Sequence, residues 1–197
     1  MKMCQAFAKN GHEIILVAPD NKKYYEANVT DIYKFYGVDP CFKVLRQPWL
    51  RIKGKGYLYG WLAAKLAKTY QPDLVYSRYI IAGYLAAYLG MPVSLELHHP
   101  IPSNLNEWIL RRLISSDHLK QIILITHTLK NYFQNRYPNI KCRLQVTPDG
   151  SDAIPNKITP IELPNQQAKF QVGYVGHMYR GKGMEVIVRL ASLCPWA

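Results

Sequence analysis

Residues 72–99 read PDLVYSRYIIAGYLAAYLGMPVSLELHH, and this stretch decides the fold class. Residues 73–77 form a short apolar run with a β-branched and an aromatic member, which predicts a strand. Residues 79–89 are small and apolar, and they predict a helix that Gly90 stops. Residues 92–97 form a second strand. Two strands separated by one helix run parallel, because the crossover returns the chain to its starting edge. In open parallel sheets, ligands bind beyond the carboxyl ends of the strands. The residues directly after each strand, Arg78, His98 and His99 among them, are therefore the ones with chemical interest.

The same alternation extends in both directions. Upstream, residues 1–9 have helical spacing and Asn10-Gly11 supplies a stop. Residues 13–18, EIILVA, are a buried strand by length and composition. A helix followed at once by a buried strand is the second half of a βαβ unit, so a strand is expected ahead of Met1. Residues 21–39 read as irregular with a short helix, 42–45 as a strand, and 57–70 as a helix that tolerates Gly60. Downstream, 104–116 is a helix with Ser103 or Asn104 as cap, and 121–125 is a strand. Thr126 caps a helix over 127–136, 141–146 is a strand, and Thr147-Pro148-Asp149-Gly150 is a turn. The pattern predicts an open parallel sheet covered by helices on both faces.

Residues 1–150 make one such domain, lacking its first strand. Residues 151–168 carry prolines without periodicity and read as a linker. Residues 169–197 begin again: a strand over 170–175, a glycine loop, and a helix over 184–193. That is the opening of a second domain, and so short a segment buries no core of its own.

Bulk composition narrows the function. Lys and Arg total 25 against 13 acids, a formal charge of +12. Such a field attracts anions: phosphorylated small molecules, an anionic leaflet or nucleic acid. The densest basic cluster, Arg46, Arg51, Lys53 and Lys55, is interleaved with Trp49, Leu50, Ile52, Tyr57 and Trp61, which suits an anionic lipid surface or an RNA surface, or is simply a basic lead-in to a helix. The cysteines are far apart and lack paired spacing, which fits a reducing compartment. No apolar run reaches the ~18 residues of a spanning helix.

Three segments carry chemistry. In residues 172–183, VGYVGHMYRGKG, Gly176, Gly181 and Gly183 permit tight backbone turns before a helix start, where unpaired N–H groups attract phosphate. Lys182, Arg180 and His177 add charge there. The loop lacks the GK[ST] of a phosphate-binding P-loop and the GxGxxG of a dinucleotide fold. In residues 94–100, SLELHHP, Glu96 and His98 share a strand face and His99 points away. An imidazole there can act as a base or bond a sugar hydroxyl or phosphate. By spacing, no third ligand for a metal is evident. Arg78 ends the preceding strand and can reach the same cleft. The equally simple reading of each is a turn residue. No GxSxG, HExxH or paired-aspartate nucleotide-sugar motif occurs.

The segments MCQAFAKNGHEIILVAP (3–19), PDLVYSR (72–78), GMPVSLELHH (90–99), ILITHTLKNYF (123–133), VTPDGSD (146–152) and VGYVGHMYRGKGMEVIVRLA (172–191) together resemble the retaining glycosyltransferases of family 4. The resemblance implies the GT-B arrangement of two Rossmann-like domains. It implies transfer of a sugar from a UDP or GDP donor to a glycan, lipid or small-molecule acceptor, with retention and without a bound metal or other cofactor. It matches Lys182 to the lysine that holds the donor diphosphate, and His98 to the histidine near the transferred sugar. Gly150 matches the glycine of the interdomain turn. Where the family has an arginine, this chain has His177. The family's first glycine loop and its late acidic pair have no counterpart, so part of the donor site is expected to be absent. A cytoplasmic protein, peripheral at the inner face of a membrane, is the implied setting, and nucleic acid is not an expected partner. The alternative is a non-catalytic Rossmann-like remnant with membrane or acceptor affinity.

Overall fold

The computed structural model describes residues 1–20, 29–101, 103–153, 173–176 and 181–194. The chain divides into two compact units, Met1–Gly150 and Ser151–Ala197.

In the first unit, α1 (Lys2–Lys9) leads into β1 (Ile15–Asp20), and α2 (Ile32–Tyr36) into β2 (Lys43–Pro48). Then come α3 (Lys55–Thr69), β3 (Val75–Ser77), α4 (Ile80–Tyr88), β4 (Val93–Leu97), α5 (Asn104–Ile114), β5 (Leu119–Leu124), α6 (His127–Arg136) and β6 (Arg143–Val146). Every strand pair is parallel. Parallel sheets flanked by helices make this a Rossmann-like α/β fold, as expected.

The sheet is in two pieces, where one was expected. One piece is β1-β2, and the other runs β3-β4-β5-β6. The physical reason lies in the pairing: among the described strands, β1 bonds only to β2, and β3 only to β4. The core gathers around the larger piece. All of β4 is buried, with Val93 and Leu95 fully enclosed, and Leu110, Leu113, Ile122, Leu124 and Phe133 pack around it. In β1, by contrast, apolar Ile15, Leu16, Val17 and Ala18 are only half-buried.

Local chemistry sets the ends of these elements. Thr126 caps α6 as expected, its Oγ accepting from the Leu129 N–H at 3.1 Å. Asp31 caps α2 through the N–H groups of Tyr33 and Lys34. Ser103 is the N-cap position of α5 but makes no side-chain cap bond. Gly60 does more than the sequence suggested. A Cβ there would lie 2.8 Å from Ile81 Cγ2, so glycine lets α3 and α4 approach closely.

Two expectations fail. Residues 147–150 form no turn. The Thr147 N–H instead bonds Leu124 O at 2.9 Å, carrying the β5 contact one residue past β6, and Gly150 is not in the left-handed region. Of the strand expected over 170–175, residues 170–172 lie outside the described residues and 173–175 form no strand. A strand needs a ladder partner, and none pairs there among the described residues.

In the second unit, α7 spans Met184–Leu193. Among the described residues, no helix is long and apolar enough to cross a membrane.

Candidate functional site

Of the side chains singled out from the sequence, Arg78, Glu96 and His98 meet at the carboxyl ends of β3 and β4, where Asp149 joins them. Arg78 follows β3, His98 follows β4, and Asp149 lies just beyond β6. Glu96 is the penultimate residue of β4 and is buried. Register places Tyr76 of β3 opposite Ser94, so Tyr76 and Glu96 lie on the same sheet face.

Glu96 is the hub. Its Oε2 accepts from the Tyr76 hydroxyl at 2.5 Å, and its Oε1 contacts His98 Nε2. Arg78 Nε stands 3.5 Å from the same Oε1. Arg78 Nη2 lies 2.9 Å from His98 Nε2 and 3.3 Å from Nδ1. Asp149 Oδ2 is 3.9 Å from Nδ1. With Nε2–H donating to Glu96, Nδ1 keeps its lone pair on the side of Arg78 and Asp149.

The electrostatics follow from these contacts. Burial pushes the Glu96 carboxyl up, but the Tyr76 hydroxyl, then His98 and Arg78, outweigh it and hold the group below its ordinary value. Burial also pushes the Tyr76 phenol up, and the bond to Glu96 and its charge push it further. Glu96 is therefore a fixed anion that orients an imidazole, with a guanidinium beside both.

The turns that hold these groups are built locally. Ser77 is buried, and its Oγ donates to Tyr79 O at 2.8 Å and accepts from Tyr79 N–H at 3.2 Å. That bracket fixes the backbone on either side of Arg78. Gln121 Nε2 donates to Ser94 Oγ at 3.1 Å, tying β5 to β4 beneath the site.

Glu96, His98 and Asp149 offer ligand atoms within 4.8 Å of one another, a spacing that could hold a metal ion. Asp149 is the third group that sequence spacing did not disclose. The Arg78 guanidinium stands among them and already balances the carboxylate, so a dication would have to displace an organic cation.

The remaining candidates are placed differently. His99 is exposed and turned aside, its Nδ1 2.9 Å from Pro100 O. Gly150 has open space around its Cα. In the second unit, Gly181 and Gly183 take φ values of 89° and 82°, left-handed conformations that favour glycine, and Gly183 is the N-cap of α7. A Cβ on Gly176 would come within 2.9 Å of the Tyr174 hydroxyl. Lys182 lies between the two left-handed glycines, and its carbonyl accepts from Tyr174 at 3.4 Å. His177 and Arg180 lie outside the described residues.

Residues 1–153 match the family model described as Glycosyltransferase Family 4. The chain belongs to that family. The match spans the whole first unit and every residue of the Glu96 cluster. No curated protein matches the chain. No solved structure matches it. The Glycosyltransferase Family 4 assignment thus rests on the family model, and the parallel α/β architecture agrees with it.

Proposed function

We propose that this Glycosyltransferase Family 4 protein serves retaining transfer of a sugar from a UDP or GDP donor to a glycan, lipid or small-molecule acceptor, without a metal. The observation that carries the reading is the carboxylate-oriented imidazole of His98 at the carboxyl end of β4. An imidazole oriented by Glu96 presents its other ring nitrogen to a sugar hydroxyl, and Arg78 offers a cation beside it. Glu96 acts through His98, as a positioning residue.

In the second unit, Lys182 is the residue we assign to the donor diphosphate. Departure of the nucleotide builds negative charge on the β-phosphate, and a lysine stabilises that charge as it develops. Gly176, Gly181 and Gly183 keep the loop backbone free of side chains, and His177 and Arg180 are the further cations of that segment. Gly150 and His99 are kept as neighbours of the acceptor cleft.

The acceptor side is proposed to meet an anionic leaflet at the inner face of a membrane. Leu50, Ile52, Tyr57 and Trp61 are exposed large apolar side chains in a segment with Arg51, Lys53 and Lys55. Lys55 lies over the Trp49 ring at 5.3 Å and Lys65 over Trp61 at 5.6 Å. Basic and apolar groups interleaved on one surface suit lipid headgroups. The same surface on a chain without catalytic output would fit a binding remnant.

Thermal unfolding with a panel of UDP- and GDP-sugars tests the catalytic reading. A ligand that binds only the folded state raises the midpoint. One donor is expected to raise it, and Lys182→Ala and His98→Ala are each expected to diminish the rise. A midpoint unmoved by every donor would leave the binding-remnant reading in its place.

A further inference from the structure

Two side chains compete for one carboxylate at the end of β4. Glu96 is buried, and its oxygens are used unequally. Oε1 accepts from His98 Nε2–H and also has Arg78 Nε at 3.5 Å. Arg78 Nη2 lies 2.9 Å from that same imidazole nitrogen. Guanidinium and imidazole are thus crowded onto one oxygen. Oε2 takes the Tyr76 hydroxyl, at 2.5 Å.

The guanidinium does not hold its best position here. Its planar fork matches a carboxylate through two parallel N–H···O bonds, one to each oxygen. Arg78 makes no such fork. It approaches Oε1 alone, through Nε, at a separation longer than the 2.7–2.9 Å or so of a charge-assisted bond. The group standing on the other oxygen is the Tyr76 hydroxyl. Tyr76 is itself held firmly. It pairs with Ser94 across the β3-β4 ladder, which directs its side chain along the face that carries Glu96. Phe7 of α1 packs edge-on against its ring, with centroids 5.5 Å apart. Burial, then the bond to Glu96 and its charge, pushes the phenol up, so the hydroxyl stays a donor.

We infer that Tyr76 is a positioning residue for His98, acting through Glu96: by occupying Oε2 it denies Arg78 the bidentate carboxylate and leaves Oε1 to the imidazole. Without the hydroxyl, Arg78 closes its fork on Glu96 and His98 loses its acceptor. The site then changes twice over. The imidazole turns freely at the end of β4, and the guanidinium is engaged with Glu96 rather than standing beside the ring. For sugar transfer, the consequence rests on His98 being the residue beside the sugar, as proposed above. The arrangement of the three side chains does not depend on it.

Hydrogen exchange of the His98 ring N–H tests this, by nuclear magnetic resonance on the isotope-labelled full chain, with the signal assigned by its loss in His98→Gln. The parent is expected to show one protected His98 ring N–H. Tyr76→Phe keeps the ring and its Phe7 contact, and is expected to speed that exchange by about tenfold or more. Arg78→Met removes the competitor. Alone it is expected to leave the protection as in the parent, and combined with Tyr76→Phe it is expected to restore it. Unchanged exchange in Tyr76→Phe, or no protected signal in the parent, overturns the proposal. So does faster exchange in Arg78→Met alone, which would make Arg78 the group that holds the ring. Failure of the double variant to recover protection also overturns it, and would reduce Tyr76 to a packing role. No donor enters these measurements. A midpoint unmoved by every donor would therefore remove the catalytic reading and leave the role of Tyr76 standing, and a donor-raised midpoint with unchanged ring exchange would do the reverse.

Discussion

Glu96 shows how a buried carboxylate stays charged. Burial alone raises its pKa; the Tyr76 hydroxyl, His98 and Arg78 reverse that and lower it from 4.5. A carboxyl whose folded pKa is depressed contributes stability above its unfolded value, and that contribution is lost as pH falls through 4.5 toward the lower folded value. Thermal midpoints measured from about pH 6 to about pH 3 should therefore fall less steeply in Glu96→Gln than in the parent. Parallel curves for the two proteins would mean that Glu96 is not held by this cluster. Part of the cluster was legible in the sequence. Glu96 and His98 are two apart on a strand and so share a face, and Arg78 ends a strand that had to be their neighbour. Tyr76 was not legible, because its place depends on the register of β3 against β4. Asp149 was not legible either: its approach to His98 joins the ends of β4 and β6, far apart in sequence, and nothing local announces it.

At the scale of elements, helices were read closely and strand ends less so. The 127–136 helix appears with the Thr126 cap that a hydroxyl before an amphipathic run implies. β2 runs on to Pro48, past the expected end, because its partner β1 continues and the ladder carries the strand with it. Gly60 was read as merely tolerated, since helix periodicity says nothing of what lies across the interface. Its contact with Ile81 makes α3 and α4 dependent on a missing side chain. Gly60→Val should lower stability by about 1–3 kcal/mol through overpacking, seen as a reduced unfolding midpoint. A smaller residue at the facing position, in Gly60→Val combined with Ile81→Ala, should recover part of the loss relative to the two changes summed. Strict additivity would show that the two helices do not meet as described.

For the molecule as a whole, a charge of +12 spread over the surface sets the range of partners before any one site does. Contact with an anionic leaflet through residues 46–61 should appear as binding to vesicles of phosphatidylcholine with about one-fifth phosphatidylserine, and salt should weaken it. Trp61→Ser and Leu50→Ser should weaken it further at constant charge. Equal binding to neutral vesicles would remove the electrostatic part of that reading. The all-parallel ladders have another consequence, in time. Val93 meets Leu119, and Gln121 meets Arg143, only after an intervening helix has formed and the chain has closed around it. The helices can form in about a microsecond, but the first rung of each ladder waits for a long loop to close. Refolding should therefore be paced by those closures, with helical signal arriving well before the sheet.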